Sequence, residues 1–329
     1  MAYTTIDDPE AYFQVQLYTG TGSSLAVTLD GDTDMQPDFV WAKNRGQAEG
    51  HNLFDSVRGV TKFMKTNNTD TEGTGAETLK SFDSDGFTVG TDADMNTSNE
   101  KNVAWCWKES ATAGFDILIY TGNETARTIS HSLSAVPHMM IIKNRGTTGN
   151  WAVYHLGLGS NNKRLELDGN AASDTGTSVW NDTDPTSSVF SVGNNDRITN
   201  GNTMTYVGYL FAPKQGFSKF GSYTGNGNAD GPFIYTGFRP AWVMFKPDAS
   251  ADWTIVDNKR NTVNPVADNT LNANLQAAEH DGSMDTDFCS NGFKIRNANT
   301  DNNNSGLIVY AAFAEAPFVN SNGVPCNAR

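Results

Sequence analysis

The sequence predicts an all-β protein made of three tandem antiparallel β-sandwich domains of about 100 residues each. Three observations support this prediction. The 329-residue chain has only 18% charged residues, and Asn, Thr, Ser, Gly and Asp make up the difference, as is typical of short strands joined by turns. Its apolar runs are short, favour β-branched and aromatic residues, and end at Gly, Asn, Asp or Ser. Finally, one series of motifs occurs three times along the chain.

The repeated motifs keep the same order and lie about 103 residues apart. Each copy starts with Tyr-Thr-Gly and continues with an apolar segment that has a basic end: "PDFVWAKNRG", "PHMMIIKNRG" and "PAWVMFKPDA". A phenylalanine motif ("DGFTVG", "SVFSVG", "NGFKIR") and a closing apolar segment follow. The residues in register are Tyr18, Tyr120 and Tyr223; Lys43, Lys143 and Lys246; Phe87, Phe190 and Phe293; and Trp107, Phe211 and Phe313. We expect these landmarks to mark the interior of each copy.

The length of the repeat predicts complete domains, because solenoids and propellers have much shorter periods. We predict domains at 1–110, 111–215 and 216–329, the last with a C-terminal tail, of concanavalin- or jelly-roll-like topology. Within them "FVWAK", "MMIIK" and "WVMFK" are expected to be strands buried on both faces, and "LNANLQAAEHDG" at 271–282 has the spacing of a short helix. The joints at 108–116 and 212–221 are short, which favours domains that pack against each other.

The net charge disfavours several classes of partner. The chain has 23 basic and 37 acidic residues, and its formal net charge of −14 repels nucleic acid and anionic lipid. No apolar run has the length of a membrane span, and the start "MAYTTIDDPEAYF" lacks the pattern of a signal peptide, so we expect synthesis in a cytoplasm. The odd count and wide spacing of Cys106, Cys289 and Cys326 argue against a disulfide framework and a metal cluster.

Two groups of charged residues are candidate sites. Asp30, Asp32 and Asp34 alternate in "DGDTDMQPD", as in a calcium loop, but the glycine is misplaced and the other copies lack the cluster, so a solvated turn is the favoured interpretation. Asp55 and Arg58 in the first copy match Asp257 and Arg260 in the third. Such a pair could bind a polar ligand or close a loop structurally, and the structural interpretation is favoured. The second copy has Tyr154 and His155 instead.

The catalytic motifs that we considered are missing. The five histidines occupy no matching positions, and neither a zinc-hydrolase spacing nor a Gly-x-Ser-x-Gly elbow occurs, so we predict a non-enzymatic protein without a cofactor, catalytic residues or a resident metal. Trp41, Trp105, Trp107 and Trp242 lie within strands and are expected in the core. Trp180 lies in a polar segment, "SVWNDTDP", that is expected to be a loop. An exposed ring there could stack on a sugar, although packing across a joint is an equal alternative.

The strings "FVWAKNRG…LFDSVRG…LKSFDSDGFTVG…VAWCWK" and "GSYTGNGNADGPFIYTGFRPAWVMFK…DWTIVDNKR…NGFKIR…VYAAFAEAPF" resemble the repeat domains of bacteriophage tail-fibre or related virion proteins, especially those of marine phages. The resemblance covers about residues 12–318. It implies lectin-like β-sandwiches in a virion structural protein that assembles in the host cytoplasm. It also implies a cyclic homotrimer and other virion proteins as partners. The expectation of no bound nucleic acid and no membrane insertion comes from the net charge and the short apolar runs. The chain has no coiled-coil or collagen-like shaft, unlike a long fibre.

Two functions are compatible with this resemblance. The first is a tail fibre or adhesin that binds a host-surface glycan or protein receptor, and the second is a capsid or tail decoration protein without a receptor. An exposed aromatic groove in only one copy would favour the adhesin, and a large apolar patch on an end copy would favour decoration. A polysaccharide depolymerase is a third alternative, which would need two close carboxylates in a cleft.

Overall fold

The computed structural model describes residues 2–194, 197–264, 269–280 and 284–326. Strands account for 42% of the chain and helix for 6%, which confirms the all-β prediction. All strand pairings between the described residues are antiparallel, as in a chain of hairpins and Greek keys.

The strands of the first repeat are β1 (Phe13–Thr19), β2 (Leu25–Thr28), β3 (Phe39–Asn44), β4 (Asn52–Asp55), β5 (Lys62–Lys65), β6 (Gly73–Thr74), β7 (Leu79–Asp83), β8 (Gly86–Val89) and β9 (Lys101–Trp107). Those of the second repeat are β10 (Phe115–Thr121), β11 (Arg127–Ser130), β12 (Met139–Asn144), β13 (Ala152–His155), β14 (Lys163–Glu166), β15 (Asp174–Thr175), β16 (Val189–Val192) and β17 (Thr205–Phe211). Those of the third are β18 (Ser218–Thr224), β19 (Phe233–Tyr235), β20 (Phe238–Pro247), β21 (Thr254–Asp257), β22 (Leu271–Asn272), β23 (Thr286–Cys289), β24 (Gly292–Ile295) and β25 (Leu307–Pro317). The helices are α1 (Ala93–Asn96), α2 (Thr177–Trp180) and α3 (Thr300–Asn303), and 3-10 turns occur at Pro9–Ala11 and Leu156–Leu158.

Each repeat has a larger inner sheet and a smaller outer sheet. The inner sheets have the matching orders β1-β9-β3-β4-β5-β6, β10-β17-β12-β13-β14-β15 and β18-β25-β20-β21-β22. The outer sheets are β2-β8-β7, β11-β16 and β19-β24-β23. The recurring order shows that the repeated sequence produces a repeated topology. The division into three independent domains at the predicted boundaries, and the concanavalin- or jelly-roll-like assignment, stay predictions.

The central strand of each inner sheet is buried on both faces, as its continuous apolar sequence predicts. In β3, Val40 and Ala42 face the interior of the first sandwich. Phe39 and Trp41 point the other way, into a large apolar cluster to which all three repeats contribute. Alternation along the strand therefore sends one set of side chains into its own repeat and the other into a shared core.

The predicted phenylalanine landmarks are interior residues with equivalent contacts. Phe87, Phe190 and Phe293 are at most 1% exposed. Each ring packs edge-on against the tyrosine of its own Tyr-Thr-Gly motif, with ring centroids 6.0, 6.2 and 6.2 Å apart. Each of these tyrosine hydroxyls donates to a backbone carbonyl, of Met95, Thr199 and Asn302 in turn.

The glycine of Tyr-Thr-Gly is required by a close backbone approach. A Cβ on Gly20, Gly122 or Gly225 would overlap the carbonyl oxygen of Thr97, Gly201 or Asn304, respectively. A buried asparagine holds this approach in each repeat, at the end of α1 in the first, in a turn in the second and at the end of α3 in the third. Asn96, Asn200 and Asn303 each accept a backbone N–H from the residue after the glycine and donate to two or more backbone carbonyls.

The three repeats surround a common axis. Phe313 lies 5.5 Å from Trp107 and 6.0 Å from Phe211 between ring centroids, so the three closing landmarks meet in the shared core. A wholly apolar cavity of about 20 Å³ lies among them. It is lined by matching positions of the three repeats, namely Phe39, Met139 and Trp242; Trp41, Ile141 and Met244; and Trp107, Phe211 and Phe313. Because its lining offers a water molecule no polar partner, this cavity is expected to stay dry. The predicted packing of the repeats against each other is therefore observed.

The landmark lysines lie deeper than a basic strand end suggests. Lys43, Lys143 and Lys246 are at most 1% exposed. Each Nζ donates to backbone carbonyls, such as Gln47 O at 3.0 Å from Lys43 and Thr69 O at 2.9 Å from Lys143. Desolvation lowers the pKa of each lysine to about 8.

The helix predicted at 271–282 is wrong over its described part, 271–280. Leu271 belongs to β22 and pairs with Ile255 in β21. Leu271 and Ala273 are fully buried, and Ala273 N donates to Trp253 O, so the start of this segment continues the sheet. Pairing with a neighbouring strand has outweighed local helix propensity here. Residues 281 and 282 lie outside the described residues.

Candidate functional site

Two exposed aromatic side chains stand side by side on the outer surface of the third repeat. Phe233 and Tyr235 are 47% and 49% exposed, whereas Ile234 between them is 7% exposed and faces the interior. The two-residue period of β19 places both rings on the same outward face. We call Phe233 and Tyr235 the aromatic platform.

The aromatic platform occurs in one repeat only. The pairing of the first outer strand with Phe87, Phe190 and Phe293 aligns the three repeats. In this register Ala26 and Thr28 occupy the two positions in the first repeat, and Thr128 and Ser130 occupy them in the second. All three strands share a buried aliphatic residue at the middle position, so the fold needs that residue but does not need the flanking aromatics.

Neighbouring groups fix the platform. The Phe233 ring lies over Gly292, where an added Cβ would come within 2.9 Å of its Cζ. Lys219 Nζ lies 5.3 Å from the centroid of the Tyr235 ring and donates to Tyr235 O at 2.6 Å. The hydroxyl of Tyr3 donates to Gly237 O at 2.8 Å and is 3.2 Å from the Tyr235 hydroxyl. Burial raises the pKa of Tyr3, and the hydrogen bond with the Tyr235 hydroxyl raises it further.

An open cleft of mixed polarity begins at Tyr3. It is lined by Ala2, Tyr3, Gln215 and residues 321–323, and its volume is about 620 Å³. This volume is in the range of small-molecule sites. The cleft offers hydroxyl, amide and backbone groups, and the adjacent platform offers aromatic faces. A sugar has an apolar C–H face and a polar hydroxyl rim, so it matches both surfaces.

The three candidate metal ligands are not brought together. Asp30, Asp32 and Asp34 are all exposed, and Asp30 pairs with Lys259 of the third repeat at 2.9 Å. Across the described residues, no group of three or more histidine, cysteine or acidic side chains could hold a metal ion. This arrangement is that of a solvated turn.

The Asp–Arg pairs lie at the junctions between repeats. Asp55 and Arg58 have fully buried side chains, and Asp55 accepts a hydrogen bond of 2.7 Å from the Tyr209 hydroxyl of the second repeat. In the same way Asp257, paired with Arg260, accepts from Trp105 Nε1 of the first repeat at 3.1 Å. Buried charges of this kind need these partners and are closed to a ligand from solvent.

The third junction is chemically different. His155 replaces the aspartate and its Nε2 lies 3.1 Å from Tyr310 O of the third repeat. The residue of the third repeat that matches Trp105 and Tyr209 is Ala311, which has no side-chain donor. At this junction the aspartate acceptor has become a histidine, and the matching side-chain donor of the neighbouring repeat has become an alanine.

A second ion pair supports each junction. Arg45 binds Glu279 at 2.7 Å and Arg145 binds Glu72 at 2.9 Å. At the third junction Asp248 takes the place of the arginine and pairs with Lys163 at 2.8 Å. The residue at the arginine position is therefore acidic at this junction only, and its partner Lys163 comes from a different position of the repeat, the start of β14.

The expectation that the Trp180 ring is exposed is wrong. Trp180 ends α2 and is 1% exposed, with its ring 5.9 Å from Tyr154 in an edge-on contact. Its contact lies within the second repeat rather than across a joint. Val179 and Trp180 of α2 both belong to the buried apolar cluster of the second repeat, so the polar residues that follow Trp180 in sequence do not report its environment. Trp41, Trp105, Trp107 and Trp242 are core residues as predicted.

The aromatic platform is not among the site residues predicted from the sequence. An alignment on the phenylalanine landmarks shows that only the third copy, in its segment "PFIY", has aromatics at both outward positions. That difference between copies is the signal that could have found it.

None of the helices in the described residues is long and apolar enough to cross a bilayer. Comparisons with curated proteins and with solved structures gave no match. Residues 8–317 match the family described as Domain of unknown function (DUF7483), and the chain belongs to that family.

Proposed function

We propose that the protein is a non-enzymatic structural component of a bacteriophage virion, of the tail-fibre or adhesin type, and that it binds a host-surface glycan through the aromatic platform. The observation that supports this function best is the confinement of Phe233 and Tyr235 to one of three otherwise equivalent strands. A residue needed for folding recurs in every copy, whereas a residue needed for binding can differ in one.

The geometry of the platform suits a sugar chain. Alternate residues of a strand are about 7 Å apart, so two neighbouring rings can contact one or two successive sugar residues. Tyrosine combines an apolar face with a hydroxyl at its edge, and this combination binds surfaces that are partly apolar and partly polar. The cleft beside Tyr3 supplies further hydrogen-bonding groups.

The scaffold supports binding by holding the platform rigidly. Ile234 anchors β19 inside the third sandwich, and the sandwich itself is fixed to the other repeats by the shared core. A binding surface that is ordered before the ligand arrives loses less conformational entropy on binding. The chain already places three equivalent repeats around one axis, and assembly into a homotrimer with other virion proteins as neighbours stays part of the proposal.

The proposal is tested with the labelled full chain and a panel of bacterial cells, before and after removal of their surface polysaccharide. The variant Phe233→Thr/Tyr235→Ser copies the two residues of the second repeat into the third, so it is compatible with this strand. The matched control is Thr128→Ala/Ser130→Ala in the second repeat.

We expect adsorption of the wild type to at least one cell type, its loss on polysaccharide removal, and a reduction of about tenfold or more in the platform variant but not in the control. Adsorption that survives polysaccharide removal or the platform variant would refute the platform as a glycan site. Failure of the correctly folded wild type to adsorb at micromolar concentration would favour the decoration function.

A further inference from the structure

The cation beside the aromatic platform is specific to the third repeat. Lys219 in β18 matches Gln14 in β1 and Asp116 in β10, as the pairing of these strands with β25, β9 and β17 shows. The side chain at this one position is therefore neutral in the first copy, anionic in the second and cationic in the third.

The residue at this position also has a structural role in each copy. Gln14 Oε1 accepts from Gly31 N at 3.0 Å, and Asp116 Oδ2 accepts from Ser132 N at 2.9 Å. Lys219 instead donates to Tyr235 O. Each side chain ties the edge of the inner sheet to the first outer strand or to the loop that follows it. The fold requires a hydrogen-bonding side chain here, but it does not require a positive charge.

The charge of Lys219 is available to a ligand. Among the ion pairs of the described residues, Lys219 has no carboxylate partner, whereas Lys294 and Arg296 of the neighbouring strand pair with Asp230 at 2.6 Å and with Asp287 at 3.5 Å. Partial burial lowers the pKa of Lys219. An anion placed beside the ammonium group would offset that desolvation.

From these contacts we infer that the aromatic platform selects a negatively charged glycan, with a uronate carboxylate or a sulfate on Lys219 Nζ and the sugar rings on Phe233 and Tyr235. This inference rests on the proposed function and adds the class of ligand to it. Three departures from the repeat pattern, two aromatic and one cationic, coincide at one place. Asp116 would repel the same ligand at the matching position of the second repeat.

The experiment measures binding of the full chain to uronic-acid oligosaccharides and to sulfated oligosaccharides. Each is paired with a neutral counterpart of the same sugar sequence, the methyl ester or the desulfated form. Lys219→Gln keeps a donor for Tyr235 O, copies Gln14 of the first repeat and removes the charge. Lys108→Gln removes an exposed charge elsewhere and is the control for net charge.

We expect at least one acidic oligosaccharide to bind roughly tenfold or more tightly than its neutral counterpart, since hydrogen bonds to charged groups are the stronger ones. Lys219→Gln loses this preference and Lys108→Gln keeps it. A preference for the free uronate over its methyl ester identifies carboxylate as the bound group, and a preference for the sulfated over the desulfated form identifies sulfate.

Equal affinity for acidic and neutral forms, or a preference that survives Lys219→Gln, overturns the inference. If neutral forms bind and Phe233→Thr/Tyr235→Ser abolishes that binding, the proposed function stands without the charge selection. If neither form binds and the cells are not adsorbed, both fail.

Discussion

Replacing Phe313 by alanine tests whether the three repeats unfold as one unit. Phe313 is 3% exposed and its ring lies 5.0 Å from Phe13, 5.5 Å from Trp107 and 6.0 Å from Phe211. Buried Phe→Ala changes cost about 3–5 kcal/mol, and the cost grows with the cavity that remains. The new cavity would join the existing one on the axis, whose lining is mostly aromatic and is not expected to collapse fully. We therefore expect a loss near the upper end, about 5 kcal/mol.

The assay is urea denaturation followed by tryptophan fluorescence and by circular dichroism. With a slope of about 3 kcal/mol/M for a chain of this size, the midpoint should fall by about 1.7 M in a single transition. Phe190→Ala is the comparison, because Phe190 lies in a cluster within the second repeat. If the repeats are coupled through the shared core, Phe190→Ala also shifts the single transition. Two separate transitions in the wild type, or a Phe313→Ala loss below about 1 kcal/mol, would refute this reasoning.

Three further predictions concern the repeat motif and the junctions. Gly225→Ala should lower the free energy of unfolding by more than about 2 kcal/mol in thermal denaturation, because the added Cβ overlaps backbone atoms. Gly146→Ala, where the added Cβ has open space, should change it by no more than about 0.5 kcal/mol. Equal effects of the two changes would contradict the close-approach explanation. Asp257→Asn should cost about 3 kcal/mol in the same measurement, because it leaves Arg260 with a buried charge that is less well compensated, and a neutral result would show that the pair is dispensable. Burial lowers the pKa of His155 to about 4. The unfolded chain therefore binds a proton on His155 below about pH 6.5, whereas the folded chain binds it only below about pH 4. The free energy of unfolding decreases as the pH is lowered through this window. The stability advantage of the wild type over His155→Gln, measured by denaturation, should shrink by about 2 kcal/mol between pH 7 and pH 4.5, and a constant difference would exclude this titration.

The interior of each repeat could be predicted from the sequence because every copy solves the same packing problem. Phe87, Phe190 and Phe293 recur at fixed spacing since each must fill its own sandwich behind a tyrosine. The same recurrence was available for Asn96 and its matches, but a lone asparagine in a polar loop gives no sign in sequence that it is buried.

The arrangement of the repeats could not be predicted in this way. An apolar strand shows that both of its faces are buried, but not that one face meets two other repeats. Asp55 and Arg58 looked like a local pair, and their partner Tyr209 lies far along the chain. The aromatic platform was hidden for the opposite reason, because aromatic residues in a strand are expected in the core and only the register shows which of them face outward.

The individual chemistry of the three junctions has a consequence for the gene. Tandem copies of a sequence are prone to unequal crossover, which deletes one copy in frame. Loss of the second copy would place Asp55 opposite Ala311, without a donor, and Glu72 opposite Asp248, with like charges facing each other. A chain shortened in this way would therefore lose both matched contacts at its new junction, so the fold depends on the number and order of the copies.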